Sequence, residues 1–485
     1  MSQPDVQDFG RAERTHANLA IAALLVTVTG TVLSVAFGYL SPARLLLGAG
    51  AVFGCVVLVA YPEIALAGLL VIGTLKGNPL LADAPIDLTV ALTLAVIAGC
   101  VLKSGSDLRN LRVRYPMAYL CYVPFLAMMI FSLTYTPNPA AGLDKTGRFL
   151  IFCGTAIFAP FLIFKSKASL RRFFLTLAAL GLVVAMDSFS SLGGGQRLVS
   201  TGGDTIQLGH DAALAIVVIW YLLIPGKSMV WRVGLYGLVM VLCVALIGAG
   251  SRGPVVALSS CILFSLVVHK KLGMQMKSLV LDLALLVVMG LAVIPSVGIP
   301  QSSYDYLARL GDSDMHRFLG PREALMELGW KLMFQHPLTG VGIGGYPVLF
   351  RGVGAWPHNM VLEIGAEMGI FSALIFCCLA VLAFREALRQ LGNSNLAYNT
   401  LDALVFAFLM FEFIDSMNTG SINDNRSLWL AMALPFVLRT LRATEPSRLW
   451  RFKPNPPQRY RDSGLRARRA IPSQDRRLLT ATRGS

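Results

Sequence analysis

The chain has 485 residues, of which 55% are hydrophobic and only 14% charged, well short of the roughly 25% charge typical of soluble domains. Runs near twenty apolar residues recur along it, which excludes a soluble globular fold and predicts an all-α polytopic membrane protein. Its formal charge of +15 gathers in the links between these runs and in the C-terminal tail, where it bears on membrane topology first.

In chain order, a short polar start (1–17) precedes apolar runs at 18–40, 45–60, 64–75, 86–102, 117–133, 149–164, 173–189, 212–224, 233–247, 255–268 and 279–297. Three more follow at 360–384, 401–414 and 428–438. The third and the last are short, which gives about 12–14 transmembrane helices. The first run is long enough to span and has no small-residue cleavage pattern, so it reads as an anchor. The expected organisation is a cytoplasmic N-terminus (1–17), a first transmembrane bundle (18–297), one large polar loop (298–357), C-terminal transmembrane helices (358–441) and a basic tail (442–485).

Orientation follows from the basic residues. Every second link is rich in them: Arg11 and Arg14, then Lys103 to Arg114, Lys165 to Arg172, Lys227 and Arg232, Lys270 to Lys277, and Arg385 with Arg389. The positive-inside tendency then places both termini in the cytoplasm and the long loop outside. The tail, with Arg448, Arg451, Lys453, Arg459, Arg461 and further arginines among Pro, Ser and Gln, cannot bury a core and reads as a disordered segment held near anionic lipid. No folded module accompanies it, so no nucleic-acid partner is expected. The eight cysteines all lie in apolar runs without a C-x-x-C pair and read as packing residues.

Chemistry is expected at the long loop, because structureless loops beyond about 15 residues are uncommon and usually functional. Arginines kept on the disfavoured side of the membrane are candidates. Arg252 stands in Gly248-Ala249-Gly250-Ser251-Arg252-Gly253-Pro254, and Arg197 follows Gly193-Gly194-Gly195-Gln196 at the end of another span. Two planar guanidiniums suit a diphosphate. His358 stands where a helix resumes, and a histidine there suits proton acceptance near neutrality. Asn359, Glu363 and Glu367 recur every four residues and share one helix face, either lining a cavity or satisfied by other helices.

Other signals are weaker. Asp144, Lys145 and Arg148 read as a local ion pair at a helix start. The stretch from His336 to Tyr346 is glycine-rich, but lacks the preceding strand and closing Lys-Ser/Thr of a phosphate loop, so it reads as a tight turn with a structural His336. Asp312-Ser313-Asp314 is a weak metal signal, and no metal is expected. Asp187, Asp211, Glu412 and Asp415 read as interhelical partners without a histidine to form a relay.

Three blocks together resemble the bacterial O-antigen ligases and related polysaccharide polymerases: Gly250-Ser251-Arg252-Gly253, then His336-Pro337-Leu338-Thr339-Gly340-Val341-Gly342, then His358-Asn359-Met360-Val361-Leu362-Glu363 leading to Glu367-Met368-Gly369. The resemblance covers roughly residues 130–440. It implies a C-type glycosyltransferase architecture in the bacterial inner membrane, with a periplasmic site and a partly helical loop. It also implies transfer of a glycan from undecaprenyl diphosphate to an acceptor sugar such as the lipid A core, without nucleotide, metal or other cofactor. By position, His358 would be the base or orienter of the acceptor hydroxyl, Arg252 and Arg197 would hold the diphosphate, and Arg322 would be a third cation from the loop. Asn359, Glu363 and Glu367 would support them. Direct attack would invert the anomeric carbon.

Two rivals remain open. A polymerase would join lipid-linked repeats through the same blocks, and Ser421-Ile422-Asn423-Asp424-Asn425-Arg426 is similar to segments of exopolysaccharide polymerases. A transporter of lipid-linked glycan is the alternative of another class, although no internal repeat supports it.

Overall fold

The computed structural model describes residues 54–76, 87–104, 122–192, 196–201, 204–308, 311, 322–350, 356–392 and 399–444. Within these, the regular structure is helical throughout, as a chain must be that closes its backbone hydrogen bonds inside a bilayer without a barrel. The helices are α1 (Gly54–Ala60), α2 (Pro62–Leu75), α3 (Leu88–Ser104), α4 (Tyr122–Ser132), α5 (Pro139–Ile163), α6 (Lys167–Ser191), α7 (Thr205–Leu223) and α8 (Met229–Ala249). There follow α9 (Arg252–Val268), α10 (Met276–Val297), α11 (Gln301–Ala308), α12 (Arg322–Gln335), α13 (Tyr346–Phe350), α14 (Met360–Gly392), α15 (Asn399–Ser416) and α16 (Arg426–Thr444).

Among the described residues, α5, α6, α7, α8, α10 and α14 are long and apolar enough to cross a membrane, and the chain is an all-α polytopic membrane protein. Within the runs at 45–60 and 64–75, the described residues form a bent pair, in which α1 and α2 meet at 110°, a broken span or a re-entrant loop, while residues 45–53 lie outside the described residues. Pro62 at the first position of α2 starts the new direction. Helices α3, α4 and α9 are shorter apolar elements. The run at 18–40 and the basic tail beyond residue 444 lie outside the described residues.

Helix α7 is the centre of the bundle, with 83% of its apolar window buried, whereas α10 is peripheral at 11%. Gly181 lets α6 come close to α7, because a Cβ there would stand 2.6 Å from the Asp211 carbonyl oxygen. Trp429 of α16 anchors a cluster of rings, with Tyr122, Phe125, Phe149 and Phe376 at 5.1–5.8 Å.

At the end of the bundle opposite the long loop, basic residues of successive links meet buried acids. Glu63 accepts from Lys103 at 3.0 Å and Arg172 at 2.7 Å. Asp282 pairs with Arg232, and Asp402 with Arg442. A buried carboxylate without such a partner costs several kcal/mol, so each pair also fixes the register of the helices it joins.

Candidate active site at the loop end of the bundle

Helix α8 ends at Gly250, whose left-handed backbone (φ 60°) turns the chain so that Arg252 opens α9. The orphaned carbonyls of that helix end then recruit the Arg197 segment. The Arg197 Nε donates to the Ala249 carbonyl at 2.7 Å, and the Leu198 N–H donates to the Gly248 carbonyl at 2.9 Å. The Arg197 guanidinium also lies 4.4 Å from the ring centre of Tyr306 on α11. Arg197 is thus held at the helix end three residues before Arg252, although 55 positions separate the two arginines in the sequence.

The third cation arrives from the loop. Arg322 is the first residue of α12, and its Nη1 donates to the Asn418 carbonyl at 2.6 Å. Burial lowers its pKa, and the positive charges of Arg252 and then Arg197 lower it further, while Asp415 opposes them. Three guanidiniums converging with one carboxylate among them form a site of strong positive potential, suited to a multiply charged anion.

His358 adjoins this cluster. It precedes α14, which begins at Met360, and it is the one non-glycine residue with positive φ (52°) among the described residues. Its Nδ1 is buried without a hydrogen-bond partner, as is Nε1 of Trp356, whose ring centre is 5.6 Å away. Burial, reinforced by the charge of Arg322, pushes the His358 pKa down to about 4, so the imidazole is neutral in the free site. A strained backbone beside orphaned polar atoms is costly, and such features cluster where ligands bind. Asn359, not His358, caps the helix: its Oδ1 accepts from the Leu362 N–H at 3.1 Å, and its Nδ2 donates to the Met417 carbonyl at 3.2 Å.

Glu363 and Glu367 do share a face with Asn359, but they serve as a clamp. Lys145 of α5 lies 2.5 Å from Glu363 Oε1 and 2.7 Å from Glu367 Oε2, with both glutamates buried and the lysine partly so. This corrects the expectation of a local pair for Lys145. Asp144 pairs with Arg148 alone, at 3.0 Å and in the open. The turn Ser421-Ile422-Asn423 closes the clamp: the Ile422 N–H donates to Glu363 Oε2 at 3.0 Å, and Asn423 Nδ2 donates to the Lys145 carbonyl at 3.0 Å.

On the other side of α14, the glycine-rich stretch is a stitch in a broken helix. The helix loses its geometry at Gly369 (φ 82°, ψ 168°), and there the turn supplies the missing backbone partners. The Val341 and Gly342 N–H groups donate to the Ala366 and Glu367 carbonyls at 2.9 Å each, while the Ile370 N–H donates to the Pro337 carbonyl at 2.8 Å. A Cβ on Gly342 (φ 88°) would collide with the Thr136 backbone, and one on Gly369 with the Leu338 carbonyl. His336 is exposed and its backbone helps form the turn.

Sequence reasoning missed His210. Contrary to the reading of Asp211, Glu412 and Asp415 as acids without a histidine, His210 Nδ1 stands 3.1 Å from Asp211 Oδ1 and its Nε2 3.2 Å from Glu412 Oε1. Thr74 donates to Asp211 at 2.5 Å and Ser427 to Glu412 at 2.5 Å. The signal available was the dipeptide His210-Asp211 itself, at the start of the most buried span. Asp415, one turn beyond Glu412, leaves Oδ1 without a partner and packs against Gly253, where a Cβ would stand 2.7 Å from it. Asp187 caps a nearby loop, accepting from Thr201 at 2.8 Å. Asp312 and Asp314 lie outside the described residues.

No curated protein matches the chain. Residues 236–377 match the model of a family described as O-antigen ligase, Wzy_C. The match runs from α8 into α14 and so contains Arg252, Arg322, His358, Asn359, Glu363 and Glu367, but neither Arg197 nor Lys145. With its apolar helices and this matching segment, the chain is a multi-pass membrane protein that carries an O-antigen ligase-type domain over residues 236–377, which points to a glycosyltransferase type of enzyme.

Proposed function

We propose that the protein transfers a glycan from undecaprenyl diphosphate to an acceptor sugar, the lipid A core, at the periplasmic face of the bacterial inner membrane. The observation that carries this reading is that Arg322, which feels the charges of Arg252 and Arg197, also acts on the neutral His358, whose Nδ1 is buried without a hydrogen-bond partner. The diphosphate would lie among the three guanidiniums, whose forks pair with its oxygens. The acceptor hydroxyl oxygen would form the new bond to the anomeric carbon as the bond from that carbon to the diphosphate oxygen breaks. The hydroxyl proton would pass to His358, and the bonding electron pair would leave with the diphosphate, where the arginines stabilise the growing charge. A single displacement inverts the anomeric carbon.

The field within the site favours donor binding first. In the free site burial suppresses protonation of His358, and the charge of Arg322 adds to it. A bound diphosphate would offset that charge and raise the basicity of the imidazole when it is needed.

The test is the envelope glycan profile of a strain lacking the gene, complemented with wild type, His358→Ala or Arg252→Ala. Full-length glycan held on undecaprenyl diphosphate over bare lipid A core supports the ligase reading. Accumulation of single repeats would instead make the protein a polymerase. Normal transfer by a variant would remove that residue from the mechanism.

A further inference from the structure

We propose that α12 is seated in the membrane interface on the loop side, through an apolar stripe of Trp330, Phe334 and Leu338. The opposite face of α12 is spoken for: Gly329, Leu332 and Met333 are buried, with Gly329 against Pro357 and Leu362, and Met333 against Gly365 of α14. The free face carries Trp330 (49% exposed), Phe334 (63%) and, just past the helix end, Leu338 (62%). The two rings stack on each other, 5.6 Å apart and within 8° of parallel. Their four-residue spacing puts them on one side of the helix.

The occupant follows from what this stripe runs into. The residue after Gly369 donates its N–H to the Pro337 carbonyl, so Leu338 stands at the break in α14. Beyond the break, Phe371, Leu374, Val381 and Leu388 are all more than half exposed. Their spacings of three and seven residues align them as one stripe down a membrane span, which is its lipid-facing side. The stripe of α12 therefore continues a surface already turned to lipid. Tryptophan is favoured at the boundary between headgroups and acyl chains. Lys331, exposed next to Trp330 in the sequence, can extend its ammonium to lipid phosphate while its stem lies along the apolar surface. A saccharide-stacking platform would also use aromatic rings, but it would not require the aliphatic Leu338 or continuity with a span.

The seat has a consequence for the cluster described above. Arg322 opens the same helix, so anchoring α12 fixes the height of that guanidinium relative to the headgroups. The inference itself stands without the proposed reaction.

The test uses full-length protein reconstituted in phosphatidylcholine and phosphatidylglycerol vesicles, with and without lipids brominated close to the headgroup. Trp330→Phe isolates the Trp330 emission by difference from wild type, and Phe334→Trp adds a second reporter on the same face. The expected result is that both difference components are blue-shifted, lose most of their intensity to brominated lipid and resist aqueous iodide. Red-shifted components quenched by iodide and untouched by brominated lipid would overturn the proposal and leave a water-facing aromatic platform. If Trp330→Phe does not accumulate, Phe334→Trp alone decides between the two results.

Discussion

The Nζ of Lys145 stands 2.5 Å from Oε1 of Glu363, across 218 positions of sequence, and this contact ties the segment that follows His358 to α5. Both glutamates of the clamp are at most 1% exposed, so neither can fall back on water. Replacing Lys145 with Met leaves two buried carboxylates facing each other, a loss on the order of 3–5 kcal/mol. The expected outcome is poor accumulation and a clearly lower melting temperature in detergent. A melting temperature within a degree or two of wild type would show that water reaches the clamp.

His210 is held between Asp211 and Glu412 on two helices. His210→Ala removes the shared partner of two buried acids and is expected to destabilise the protein by about 3 kcal/mol. His210→Gln, which keeps a polar group in place, should recover part of that. Thermal unfolding of both variants in the same detergent checks the order, and equal stability of the two would contradict it.

The pH dependence of transfer separates free enzyme from complex. The pKa of His358 is depressed to about 4 in the free site, below its ordinary value of about 6.5. The imidazole is therefore unprotonated above about pH 4, and its basic form is lost only as pH falls through that value. The acid limb of kcat/KM is expected near pH 4, and that of kcat at higher pH, because bound diphosphate offsets Arg322. Coincident limbs, measured with purified donor and acceptor, would remove the electrostatic link between donor and base. Protonation also carries a stability sign: an unfolded chain takes up the proton first, so this histidine weakens the fold as pH falls from about 6.5 toward 4.

Arg252→Lys keeps the charge and removes the planar fork. If Arg252 grips a diphosphate through paired oxygens, transfer should fall by about 100-fold, the scale of losing one positioned donor, with accumulation unchanged. An initial-rate assay near wild type would show that only the charge matters.

Glycine substitutions should divide sharply. Gly342→Ala combines a left-handed backbone with a collision against Thr136 and is expected to prevent accumulation. Gly147→Ala, in a helix with open space around it, is expected to be neutral or to stabilise by up to about 1 kcal/mol. Membrane yields of the two variants provide the comparison.

The sequence made some of this architecture legible and concealed the rest for physical reasons. Apolar runs locate helices because a bilayer demands them, and basic links give orientation because charge crosses membranes reluctantly. Arg252 was visible from its glycine turn, and Gly342 from its setting among glycines. Run length cannot reveal an angle between helices, so the 110° bend between α1 and α2 was hidden. The partners of Lys145 lie more than 200 positions away, and adjacent acids offered a nearer pairing. His210 stands beside Asp211 in the sequence, but nothing there shows that its other nitrogen meets Glu412 on another helix.

The break in α14 changes how the long loop can fold. Carbonyls of a membrane span are completed by N–H groups from Val341 and Gly342, and the N–H of Ile370 by the carbonyl of Pro337. Within a bilayer these groups have no other partners. Span and turn therefore reach their final hydrogen bonding only together. An excised loop would lack the edge it is built against, and a span inserted without the loop would carry an open seam at Gly369.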